Sequence, residues 1–136
     1  MNNFIKVCLL LAMVIIFDSC INKEINSNHF WQIDKIELPK GYDIIREENI
    51  EDSIIIVLKL NSEHVLNLKS QILLKDNFID SMFVTNPENQ ISEFFNGSNW
   101  GRYPNGYFHQ FARGNSIESI ITLDTIDQII SLKSLW

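Results

Sequence analysis

The chain has 136 residues, 17 acidic against 11 basic, for a formal charge of −6; that length supports one well-cored domain and is too short for two. The acid excess, with Lys and Arg scattered singly, argues against a nucleic-acid partner, which needs clustered cations for phosphate, and against adhesion to anionic headgroups by charge. Both cysteines, Cys8 and Cys20, lie in the first 20 residues, so neither a disulfide framework nor a cysteine-based metal site is expected downstream.

Lys6 and the amino terminus supply positive charge, residues 7–17 form an unbroken apolar run, and Asp18-Ser19-Cys20 closes it. This is the layout of an export signal. Eleven apolar residues fall well short of the roughly twenty a helix needs to cross the hydrocarbon core. Cys8 fits inside the run as a small hydrophobe, whereas Cys20, preceded by the small Ser19, stands where the run stops. That junction resembles the lipobox of bacterial lipoproteins, with two departures: Phe17 stands where Leu is usual, and Asp18 where a small or aliphatic residue is usual. The resemblance covers the first 20 residues. It implies a signal peptide over 1–19, cleavage before Cys20, lipid on that cysteine, and a place in the cell envelope with membrane attachment through acyl chains. Several chains, as that modification supplies, bind stably where one binds marginally. An ordinary secretory signal or an uncleaved anchor would leave the position of Cys20 without a reason.

Residues 20–28 are polar, rich in Asn and without periodicity, and read as a flexible tether. Phe30, Ile33 and Ile36 recur every three residues and suggest a short helix over 29–38, stopped by Pro39-Lys40-Gly41, although Trp31 and Ile33 would also suit a strand. A strand is expected over 42–48 and a polar turn over 49–52. Residues 53–60 (SIIIVLKL) carry the strongest strand signal: Ile54, Ile56, Leu58 and Leu60 share one face, and Ile55 and Val57 make the other apolar too, as in an interior strand. Asn61-Ser62-Glu63 then offers cap residues for an amphipathic helix to about Leu74, with Val65, Leu66, Leu68, Ile72 and Leu73 towards the sheet.

Residues 76–85 are ambiguous, and Asn86-Pro87-Glu88 reads as the start of a helix leading into Ile91, Phe94 and Phe95. Residues 96–106 (NGSNWGRYPNG) read as the one long loop. Three alternating segments over 107–113, 117–123 and 128–135, parted by Gly114-Asn115 and Asp124-Thr125, suggest a meander. The expected fold is α+β: about five mostly antiparallel strands with the amphipathic helix packed on one face, in a single domain over 29–136. The absence of regular β-α alternation argues against a doubly wound sheet.

Catalytic sets are scarce. His29, His64 and His109 lie in different elements with no partner at helical spacing, so no metal site is expected, and Glu63-His64 suits capping. No serine stands in a G-x-S-x-G elbow. Glu47, Glu48, Glu51 and Asp52 bracket a turn and read as a solvated hairpin end, since calcium wants spaced oxygens. Phe78, Phe83, Phe94 and Phe95 read as core. Trp100, Arg102, Tyr103 and Tyr107 are the candidate binding residues, because rigid rings beside small residues and an arginine make contact surfaces. Against this, Trp100 can fold back over the open end of the sheet as packing, the favoured reading for it and for Trp136, while Arg102 and Tyr103 are expected to be exposed.

These features favour a non-catalytic, cofactor-free binding or accessory module, such as an inhibitor or immunity-type protein, acting on a protein partner at the envelope. The alternatives are an assembly component of an envelope complex, and an enzyme whose groups converge only in space, for example His109 with Asp124 or Glu118.

Overall fold

A computed structural model of the chain describes residues 28–90, 98–113 and 116–135. The signal, Cys20, the tether as far as residue 27, the helix expected over Ile91, Phe94 and Phe95, the Gly114-Asn115 turn and Trp136 lie outside them.

The α+β reading with about five strands is corrected: the described residues are mostly sheet, seven strands with two helices. In chain order these are α1 (Asn28–Asp34), β1 (Asp43–Ile50), β2 (Ser53–Lys59), α2 (Ser62–Leu73), β3 (Phe78–Phe83), β4 (Ser98–Tyr103), β5 (Gly106–Arg113), β6 (Ser116–Asp124) and β7 (Ile129–Leu135). They form one sheet in the order β1-β2-β7-β6-β5-β4-β3. Every neighbouring pair is antiparallel except β3 with β4, which run parallel at one edge. No described helix is long and apolar enough to cross a membrane.

The two strands beyond the expected number are β3, in the ambiguous stretch, and β4, inside the segment read as a loop. Gly101 explains why β4 looks like a loop by composition. A Cβ there would stand 2.8 Å from the carbonyl oxygen of Met82 in β3, so the close approach of the two strands requires glycine. Gly106, at the start of β5, is held just as tightly, since a Cβ would lie 2.1 Å from the carbonyl oxygen of Leu123.

Alternation in β2 sets the core. Ile54, Ile56 and Leu58 are buried on one face, with half-buried Ile55 and Val57 on the other. Register carries that face across the sheet: Ile56 lies opposite Leu132, Leu132 opposite Ile121, Ile121 opposite His109, and His109 opposite Trp100. A second row runs Leu58, Ile130, Leu123, Tyr107, Arg102. Both rows are aliphatic over β2, β7 and β6 and become polar and aromatic at β5 and β4. Helix α2 adds Val65, Leu68 and Ile72 to this core, and Phe30 of α1 joins it.

Asn61 caps α2: its side chain accepts from the His64 N–H at 2.8 Å, and His64 Nδ1 accepts from the Asn61 N–H at 3.3 Å. The pair completes a capping box with histidine in the place of the usual Glu or Gln. Leu66 and Leu73 do not face the sheet as expected; they are 64% and 40% exposed. The helix has one buried stripe through Val65, Leu68 and Ile72, and a residue next along the chain is turned by about 100° from it. On the opposite face of the sheet, Met82, Val84 and Phe108 form a smaller cluster. The Gln110 amide ties the 87–90 turn to β5, donating to the carbonyls of Pro87 and Gln90 at 2.6 Å each.

Candidate functional site

Two arrangements gather polar side chains at the β4–β5 end of the sheet. The first lies beside α1, with Trp100 and His109 buried and Asp34, Lys75 and Asn77 bordering the surface. Asp34, the last residue of α1, accepts the indole N–H of Trp100 on Oδ2 and the Asn77 amide on Oδ1 at 3.0 Å. Asn77 also donates to the Ser98 carbonyl at 2.8 Å. Lys75 donates to the Asp34 carbonyl at 2.7 Å, its ammonium 3.6 Å from Oδ2. His109 packs against Trp100 with ring centroids 5.2 Å apart; its Nε2 is 2.5 Å from Ser98 Oγ and 3.9 Å from Asp34 Oδ1.

Ser98, His109 and Asp34 are the residue types of a nucleophile, base and orienting acid, but their geometry differs from one. In a working triad the carboxylate holds the ring nitrogen opposite the one facing the serine. Here Ser98 and Asp34 both approach Nε2, Nδ1 has no hydrogen-bond partner, and the ring has no exposure. The cluster instead fastens α1 to β4 and β5. His109 does not meet Asp124 or Glu118. Asp124 Oδ1 accepts from the N–H groups of Ile126 and Asp127 in its own turn, at 2.9 and 2.8 Å, and Glu118 lies 3.5 Å from Arg113.

Burial pushes the His109 imidazolium down to about 4 from its ordinary 6.5; Asp34 opposes that shift and Lys75 adds to it. Between those two values the unfolded chain binds a proton that the folded chain refuses. Stability is therefore fully present above about pH 6.5, falls as the pH drops from 6.5 towards 4, and levels off below that for this group. Urea titrations across that window are expected to show the slope in the native chain and not in His109→Gln. A slope undiminished in the variant would assign it to other groups.

The second arrangement is open. A cleft of about 620 Å³ lies between α2 and the β4–β5 hairpin, with Leu66, Lys69, Phe83, Arg102 and Tyr107 among its lining residues. Its rims are apolar and uncovered, Leu66 at 64% and Phe83 at 59% exposure. Phe83 was expected in the core. It stands instead on an edge strand, paired with Arg102, while its neighbours Met82 and Val84 turn into the smaller cluster.

Arg102 is held from several sides. Its Nε donates to Asp80 Oδ1 at 2.9 Å, Nη2 lies 2.7 Å from the same oxygen, and Nη1 donates to the Tyr107 hydroxyl at 3.1 Å. The guanidinium carbon sits 5.3 Å from the Phe78 ring centroid and 5.1 Å from that of Tyr107, within cation–π range. Hydrogen bonding to Asp80 raises its already high pKa, burial opposes the rise, and Tyr107 adds to it.

Of the four candidate binding residues, the structure joins Arg102 and Tyr107 at the cleft. Trp100 is completely buried in the Asp34 cluster and does not line the cleft. Tyr103 borders the cleft at its hairpin end, but its ring packs against the Met82, Val84 and Phe108 cluster on the far face. Burial raises the Tyr103 phenol, and the charges of Asp124 and Asp127 raise it further, so it stays a neutral hydroxyl. From the sequence Leu66 and Phe83 read as packing residues, and Lys69 carries no signal of its own. Their relation to Arg102 exists only across the fold. Among the described residues, no three His, Cys, Asp or Glu side chains converge as a metal would need.

Comparison with protein-family models, with curated proteins and with solved structures finds no match to this chain.

Proposed function

We propose that the chain is a non-catalytic binding module, held at a bacterial cell envelope by lipid on Cys20, and that it offers the cleft between α2 and the β4–β5 hairpin to a protein partner. One observation carries this reading: two large apolar side chains, Leu66 and Phe83, stand exposed on the rims of a cleft walled by Tyr107 and by Arg102, which is hydrogen-bonded to Tyr107 and Asp80. Contact surfaces concentrate their energy in aromatic and arginine anchors held in place before the partner arrives. An inhibitor or immunity-type role would use such a surface. The tether over 20–28 reaches at most about 30 Å, which would keep the cleft near the membrane.

Assembly through the sheet edges is the other reading, since β1 and β3 are both edge strands. The β1 edge argues against it. A register shift at Ile45 interrupts its pairing, and Arg46, Glu47 and Glu48 follow, a bulge and charges of the kind that discourage strand addition.

The test is site-specific photo-cross-linking in native envelopes. A cross-linker at Leu66 or Phe83 should trap one and the same protein. At Leu135, which is 53% exposed and lies outside the cleft lining, it should not. Equal trapping from all three positions would contradict the assignment. The anchor has its own check: Cys20→Ala is expected to lose metabolic fatty-acid labelling, and label persisting on that variant would exclude lipid at Cys20.

A further inference from the structure

Resting on the reading of the cleft as a partner site, we infer that the segment it receives is a peptide carrying a carboxylate beside an apolar side chain. The charge of the lining points there. Lys69 and Arg102 are the charged residues that line the cleft, with no Asp or Glu among the others, in a chain where acids outnumber bases 17 to 11. Lys69 on α2 and Arg102 on β4 line the cleft from its two walls; Asp80 already pairs with Arg102, so among the described residues the uncompensated charge that selects an anion is that of Lys69.

The two cations differ in how they stand. Lys69 is half-buried on α2, three residues after Leu66, and makes no ion pair with a described residue. An ammonium in that position, with no carboxylate of its own among the described residues, gains from a carboxylate brought into the cleft. Arg102 is fixed: its Nε, one Nη2 donor and one Nη1 donor are engaged by Asp80 and Tyr107. A guanidinium has five N–H donors, so about two remain for a ligand, on a group that sits 5.3 Å from the Phe78 ring centroid and 5.1 Å from that of Tyr107. Val65, Leu66, Phe83 and Tyr107 supply the apolar wall. A ligand that answers both features has an acid next to an apolar group.

The rims decide between a free acid and a peptide. A small-molecule site encloses most of its ligand, whereas Leu66 and Phe83 are themselves 64% and 59% exposed. Those walls are complete only when the occupant belongs to a larger body that covers them, as the rim of a protein contact excludes water around its anchors.

The experiment uses the full chain in uncharged phosphatidylcholine nanodiscs, with the methyl resonances of Val65 and Leu66 as reporters. The peptide acetyl-Leu-Asp-Phe-amide is titrated against its isostere acetyl-Leu-Asn-Phe-amide, with 3-phenylpropionate as the free-acid arm. The acidic peptide is expected to bind about fivefold tighter than the neutral one at low salt. That preference should vanish at high salt and in Lys69→Gln, a change between two good helix formers. Equal affinities for the two peptides would overturn the carboxylate while leaving the cleft as a site. Tighter binding of 3-phenylpropionate than of the acidic peptide would overturn the peptide as occupant. No response of the cleft methyls to any of the three would overturn the inference and the cleft reading together.

Discussion

Trp100→Ala is expected to destabilise the domain by about 3–5 kcal/mol, the range for truncating a buried aromatic. Trp100 has no exposure, and it ends the core row that begins at Ile56. Removing the indole opens a cavity beside His109 and takes one donor from Asp34, which keeps Asn77 and Lys75. Trp100→Phe separates the two effects. It retains much of the ring volume and deletes the N–H, so it should cost about 1.5–3 kcal/mol, the worth of a hydrogen bond to a charged group. Denaturant titration of both variants provides the check. A cost below about 0.5 kcal/mol for Trp100→Ala, the surface range, would remove Trp100 from the core.

Ile56→Ala should cost about 2–5 kcal/mol. Ile56 is fully buried on the face that meets α2, opposite Leu132 of β7. Strands on both sides fix the walls of the resulting cavity, so the site cannot collapse to fill it. Ile55→Ala, one residue away on the other face and half-buried, should cost distinctly less. The reverse order would place β2 one residue out of register, since a slip of one exchanges its two faces.

Local chemistry made part of this fold readable. The β-branched run of β2, the cap at Asn61 and the alternation of β5, β6 and β7 are each determined within about ten residues. Features that depend on distant partners were hidden. Gly101 reads as loop composition until Met82 is placed against it. Helical periodicity admits Leu66 and Leu73 to the apolar side, and only the width of the sheet contact leaves them out. Phe83 looks like core until β3 is known to be an edge. The Asp34–Trp100 bond spans 66 residues, and nothing around either residue announces it. Arg102 and Tyr107 were noticed for their chemistry, but Lys69 acquires meaning only from the cleft it lines.

Whether the cleft, rather than the fold at large, carries the binding is tested most directly by one double variant, Leu66→Ser with Phe83→Ser, melted and assayed for partner capture from cross-linked native envelopes. Both side chains are mostly exposed, so the melting temperature should stay close to that of the native chain while capture of the partner is lost. Undiminished capture at an unchanged melting temperature would contradict the assignment of the cleft as the binding surface.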